Sequence, residues 1–271
     1  MTAAPLALLA SLLWGTADFL AGRASRAHPA IIVAFVGQAA GLLCLAIVMA
    51  FHGYDSDAFV PGLISGVLGV VAIVTFYRAL ALGTMSVIAP IVATSAIVPV
   101  IAGVVDGERP ATLQWIGVVA ALAGVALASR EPGGAANDQQ TALKLAVVAA
   151  IAIGFALVFL NQAAEHDALT GVTAARIIGV PLLGALALHA RARAPLTALP
   201  KLASIGVLDT GANTAFAIAT TSGLLSLVAV LGGLFPIVTV TLAYFLLHER
   251  LQRHQRVGVV LALAGIPLIS A

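Results

Sequence analysis

Residues 108–129 read ERPATLQWIGVVAALAGVALAS, and residues 249–270 read ERLQRHQRVGVVLALAGIPLIS. At a constant offset, 12 of these 22 positions are identical, among them Glu108/Glu249, Arg109/Arg250, Gly117/Gly258 and Gly124/Gly265. Apolar bias alone yields scattered Val, Ala and Leu matches; it does not yield a paired Glu-Arg and two paired glycines. The chain is therefore a duplication. Between the copies lies the longest polar stretch, Ser129 to Thr141 (SREPGGAANDQQT), whose Gly, Pro and polar residues make a flexible linker. The expected units are 1–129, a linker at 130–141, and 142–271.

What each copy contains follows from composition. Of 271 residues, 61% are apolar and 9% charged, and the mean hydropathy is +1.11. Soluble domains average about 45–50% apolar and about 25% charged, so water is the wrong solvent for this chain and a bilayer the right one. Apolar runs long enough to span a membrane fall near 4–22, 30–51, 59–82, 86–105, 111–129, 142–163, 168–189, 198–221, 225–247 and 254–270. The first run has no basic segment before it and nine runs after it, so it reads as a helix and not a cleaved leader. Five spans per repeat is an odd number, so the second copy enters from the opposite side. The expected fold is all-α and membrane-embedded, with ten transmembrane helices in two inverted five-helix repeats.

Charge sorts the two faces. With the N-terminus on one face, the opposite face carries Arg23, Arg26, Arg130, Lys144, Arg191, Arg193, Lys201, Arg250, Arg253 and Arg256, against Arg109 alone on the first. The positive-inside rule makes the basic face cytoplasmic and places both termini outside an inner (plasma) membrane.

Several function classes drop out. The lone Cys44 forms no intramolecular disulfide, the six histidines lie at span ends or in loops without evident metal-ligand company, and there is no phosphate-binding glycine loop. No nucleophile–base set suggests an enzyme, and no cofactor or metal is expected. The net charge of +2 is scattered over short loops, which excludes nucleic acid as a partner. The partners expected are a small-molecule substrate, the lipid bilayer and protons; oligomeric state is not legible.

Charge inside a bilayer costs at least about 2.5–3.5 kcal/mol at a helix centre, so the charged residues within spans are the first candidates: Asp18, Arg78, Arg176 and Asp209. Arg176 and Asp209 differ in depth by about 6 Å at about 1.5 Å per residue, within reach of an arginine. Asn213 follows Asp209 by one helical turn. This trio reads either as a polar cluster for substrate or protons, or as an ion pair that fixes packing. Asp18 and Arg78 share a depth where they pair or simply snorkel. Trp14 and Tyr77 each lie a turn from one of them and, with Phe216 and Tyr244, are candidate aromatic walls. Gln38 occupies the repeat position of Arg176, and Asn161 and Gln162 line the interior or end a helix. Pro90, Pro99, Pro181 and Pro236 interrupt spans, and Pro236 with Gly232 and Gly233 is the leading hinge. The paired glycines of spans five and ten form a packing face that belongs at the periphery.

With LLWG at Leu12 to Gly15, GER at Gly107 to Arg109, HER at His248 to Arg250 and the GVVLALAG that follows, the chain resembles the drug/metabolite transporter superfamily, EamA type, over nearly its whole length. The resemblance implies a central cavity lined mainly by spans one, three, four, six, eight and nine. It also implies substrates such as amino acids and related metabolites, often exported. With the inverted repeat supplying two near-equivalent packings, the leading reading is a secondary transporter working by alternating access, driven by proton entry or by facilitated diffusion. The resemblance also implies cytoplasmic termini, which the charge count reverses. A lipid-linked substrate flippase and a non-transporting membrane subunit are the alternative readings.

Overall fold

In lipid the backbone finds no outside partners, so apolar runs close their own hydrogen bonds and become helices. The computed structural model describes residues 3–83, 88, 91–128, 139–247 and 253–270, and among them there is no strand. Helices α1 (Ala3–Ala27), α2 (Ala30–Met49) and α3 (Ser56–Leu82) open the first repeat. Helix α4 (Ile91–Val105), with a 3₁₀ turn at Thr94–Ala96, and α5 (Thr112–Ala128) close it. The second repeat holds α6 (139–166), α7 (168–189), α8 (Leu199–Thr220), α9 (Leu225–Gly232), α10 (Phe235–Leu247) and α11 (Arg253–Ser270).

The ten long spans of the sequence reading are met in part. Five helices have the length and hydropathy to cross a membrane: Ala3–Ala27, Ala30–Met49, Ser56–Leu82, Gln140–His189 and Leu196–Thr220. The fourth of these is α6 and α7 together, which bend back at Asp167, where φ is −155° and ψ is 116°. Ser65 bonds Ala156 in one arm while Gly66 packs on Ala175 in the other, so the arms lie side by side. The other apolar helices are shorter, and the ninth expected span is split at Gly233–Leu234 into α9 and α10. Pro181 does not interrupt α7, contrary to expectation, and Pro99 stays within helix just after the 3₁₀ turn. Pro90 and the HER motif at 248–250 lie outside the described residues, as does the Tyr244 side chain.

Packing relates the two repeats by a two-fold axis. Helices α5 and α11 cross on their glycines: a Cβ on Gly117 would lie 2.9 Å from the Gly265 carbonyl oxygen, and one on Gly124 2.7 Å from that of Gly258. Gly258 is the repeat equivalent of Gly117, and Gly265 that of Gly124. Equivalent residues thus make reciprocal contacts, as an isologous interface requires, and the two helices run antiparallel. The same exchange holds elsewhere: α3 lies against the α6–α7 hairpin, as α8 lies against α1 and α2. These contacts are the ones expected of inverted copies.

The outer surface is apolar, with Leu43, Ile47, Leu188 and Val260 all well exposed, the inside-out pattern that lipid contact produces. By contrast, every residue of α9 is buried. Its first N–H groups therefore need protein acceptors, and its own N-cap, Leu224, offers none. Glu108 of the first repeat supplies them, accepting from the backbone N–H of Leu225 and, at 3.0 Å, of Ser226. The loop before it turns through Gly107 at φ +101°, a conformation glycine adopts freely.

Candidate functional site

Helices α7 and α8 carry the polar centre, and α8 touches α2 where side chains are smallest: a Cβ on Gly37 would lie 3.3 Å from the Gly206 Cα. One turn further along α8 this approach brings Asp209 toward α7. There Arg176 Nη2 donates to Asp209 Oδ2 at 2.8 Å, and Nε donates to Thr210 Oγ1 at 3.2 Å. Asn213 Nδ2 donates to the Asp209 backbone carbonyl at 2.7 Å and to Oδ1 at 3.3 Å. Both carboxylate oxygens are engaged. The side chains remain 8% and 19% exposed for Arg176 and Asp209, and that exposure faces a cavity.

The cavity measures about 130 Å³, and its wall includes Trp14, Asp18, Tyr77, Arg176, Asp209 and Asn213. All six candidates from the sequence meet there. A smaller lobe of about 50 Å³ adjoins it toward the α6–α7 turn and shares Gln38, Gly69, Ala156, Leu157, Arg176 and Asn213 with it. The Arg176–Asn213 wall thus lies between a lobe reaching toward Asp18 and Tyr77 and a lobe reaching toward Ser65 and Leu160. Helices α1, α3, α4, α6, α8 and α9 contribute as the family resemblance implies; α2 and α7 join them through Gln38 and Arg176. Among the described residues, none of α5 or α11 lines either lobe.

Aromatic side chains make the main lobe amphipathic. Trp14 and Tyr77 line it, as do Phe76 and Phe235, which the sequence did not single out. Phe216 stands behind Trp14, ring centroids 5.6 Å apart, and is fully buried. Gly233 lines the cavity at the break between α9 and α10, Gly232 packs on the Trp14 ring, and Pro236 enters the first turn of α10. Lacking an N–H, Pro236 cannot bond the Gly232 carbonyl, which marks the break chemically.

Other residues fall on one side of an open alternative. Arg78 is exposed, and neither it nor Asp18 makes an ion pair among the described residues. The span that bears Arg78 turns it outward, while Asp18 faces the cavity. Asn161 bonds Glu165 at 3.0 Å and, like Gln162, lines neither lobe. His166 does have acidic company, since its ring comes within 4.8 Å of the Asp55 and Asp57 carboxylates on an exposed surface. Gln38 was legible as a lone polar group in an apolar helix; the capping role of Glu108 was not.

At the α6–α7 turn, Asp167 caps α7 by accepting from the Thr170 N–H at 2.6 Å, and it pairs with His52 Nε2 at 3.0 Å. Burial pushes its carboxyl up, but the hydrogen bonds from Thr170 and His52 outweigh that, and it titrates below its ordinary value. Asp55 joins through its N–H to Thr170 Oγ1 at 3.3 Å, so the α2–α3 loop is tied to the α6–α7 turn.

Compared with known proteins, residues 1–130 and 140–271 each match the EamA-like transporter family. A solved crystal structure aligns with a TM-score of 0.78 at 18% identity, covering 98% of this chain and 95% of that one; at this identity the likeness speaks for the fold alone. No curated protein matches the chain.

Proposed function

The chain belongs to the EamA-like transporter family, a family of integral membrane transporters, and on that premise we propose that it exports a small amphipathic metabolite, an amino acid or a related compound, by proton-coupled alternating access. The observation that carries this reading is the shared wall: Arg176 and Asn213 belong to both lobes of the cavity. A polar group held there is reachable from one lobe or the other according to which closes. The aromatic side chains of the main lobe suit an apolar body, and the Arg176–Asp209–Asn213 cluster suits a polar head.

Asp18 lines the cavity and makes no ion pair among the described residues, and it supplies the coupling proton. The break at Gly232–Gly233–Pro236 serves as the hinge, because a helix end already short of backbone bonds bends at low cost. Ten membrane crossings, an inner-membrane location and external termini complete the reading; the duplicated five-helix pattern and the ten-to-one division of basic residues support them.

The test has two steps. Efflux of a panel of amino acids and related metabolites is compared between a strain lacking the gene and one overexpressing it. The compound so identified is then followed in vesicles under an imposed pH gradient, with Asp209→Asn and Asp18→Asn variants. Asp18→Asn is expected to abolish the response to the gradient while binding persists. Asp209→Asn is expected to lose transport. Unchanged transport in both well-folded variants rejects the assignment.

A further inference from the structure

Helix α2 turns an apolar stripe outward in which Ile32, Val36, Ala39 and Leu43 recur every three or four residues. Opposite stand Leu196 and Leu199, where the α7–α8 connection enters α8, and between the two walls runs a groove of about 730 Å³. From Ile32 to Leu43 the stripe is about 16 Å long at about 1.5 Å per residue, roughly the reach of one acyl chain. The wall carries one charged residue, Arg193, and no acidic one. Arg193 is exposed and makes no hydrogen bond or ion pair among the described residues, and Arg191 and Lys201, also exposed, flank it in sequence. Ile32 lies two residues into α2 and Arg193 just beyond α7, so the cations gather at the interfacial end and the apolar stripe runs inward from them.

We propose that this groove is a binding site for an anionic phospholipid, with one acyl chain along α2 and the headgroup phosphate on Arg193. The order of the chemistry sets the class. An apolar slot alone takes any lipid, but a wall whose one charge is Arg193, without an acidic partner among the described residues and with Arg191 and Lys201 near it in sequence, favours a headgroup with net negative charge. Arginine matches a phosphate through paired donors. The site lies outside the transport cavity: Gln38, which lines both lobes, is on the same helix but not in the groove wall. The lipid therefore bears on the contact of α2 with α8, the helix of Asp209 and Asn213, whatever compound is transported.

Native mass spectrometry of the full-length detergent-purified protein, incubated with dioleoyl-phosphatidylglycerol or dioleoyl-phosphatidylcholine, tests this. Phosphatidylglycerol adducts are expected to dominate. Arg193→Gln is expected to weaken them about fivefold, the attraction of one basic residue for an anionic surface, and Ala39→Trp, which fills the slot, to weaken them as well. Arg256→Gln, a basic residue of α11 outside the groove wall, is expected to leave them unchanged. Equal binding of the two lipids overturns the proposal, as does an equal loss in Arg256→Gln, or a protein found as lipid-free dimers that bury the groove. Should Ala39→Trp fail to fold, Arg193→Gln, an exposed loop change, decides alone.

Discussion

Gly233 rests against Ala96, so close that a Cβ added to the glycine would lie 3.2 Å from the alanine methyl carbon. Each of these residues stands three before a proline, Pro99 in α4 and Pro236 in α10, and each marks the irregular turn of its repeat. The two interruptions thus face one another beside the cavity.

Replacing Gly233 tests that contact. Overpacking at a tight contact costs about 1–3 kcal/mol, and about 1.4 kcal/mol shifts a two-state equilibrium tenfold. In a Cys44→Ser background, an Ala72→Cys reporter on the cavity wall is expected to label with impermeant maleimide from both sides of oriented vesicles. Adding Gly233→Val is expected to slow labelling about tenfold from one side. Equal slowing from both sides would mean general distortion and not a displaced hinge.

Removing one partner of a buried ion pair leaves the other charge stranded, at a cost of about 3–5 kcal/mol. Arg176→Met is therefore expected to lower the thermal midpoint in detergent sharply. The double variant Arg176→Met with Asp209→Leu is expected to recover most of the loss while transport stays absent. A double variant as unstable as the single one would show that the cluster's worth lies in packing.

Asp167 combines a helix cap with a bridge to His52, and Asp167→Ala is expected to lose about 0.5–2 kcal/mol for the cap. Because folding lowers its titration, the stabilisation is present in full above the unfolded value and lost as pH falls through the folded one. The stability difference between wild type and Asp167→Ala is expected to hold from pH 7 to about 5 and to shrink only below about 4. A difference that disappears between pH 7 and 6 would move the effect off the carboxylate.

Glu108→Ala is expected to cost about 1–3 kcal/mol, because it leaves the enclosed N–H groups of Leu225 and Ser226 without acceptors. Glu108→Gln, which keeps an acceptor oxygen, is expected to lose less. Midpoints of thermal unfolding for the two variants settle the ranking; a larger loss in Glu108→Gln would deny the capping role.

The duplication and the pairing of Arg176 with Asp209 were readable. Paired Glu-Arg and glycine positions survive in both copies, and charge in lipid needs a partner. Long-range partners left weaker traces. Nothing near Glu108 in sequence hints that it serves Leu225, since the reason is the burial of α9, a property of the assembled bundle. Arg78 and Asp18 share a depth but differ in azimuth, which span maps do not contain. Pro181 stays inside α7, so its chemistry was legible and its outcome was not.

Gly117 on Gly265 and Gly124 on Gly258 form a seam that matches itself. A surface complementary to its own duplicate does not require that duplicate to be on the same polypeptide. Residues 1–129 made alone are expected to meet a second copy head to foot through α5, which makes a five-helix ancestor working in pairs a physically sufficient starting point for the fused chain.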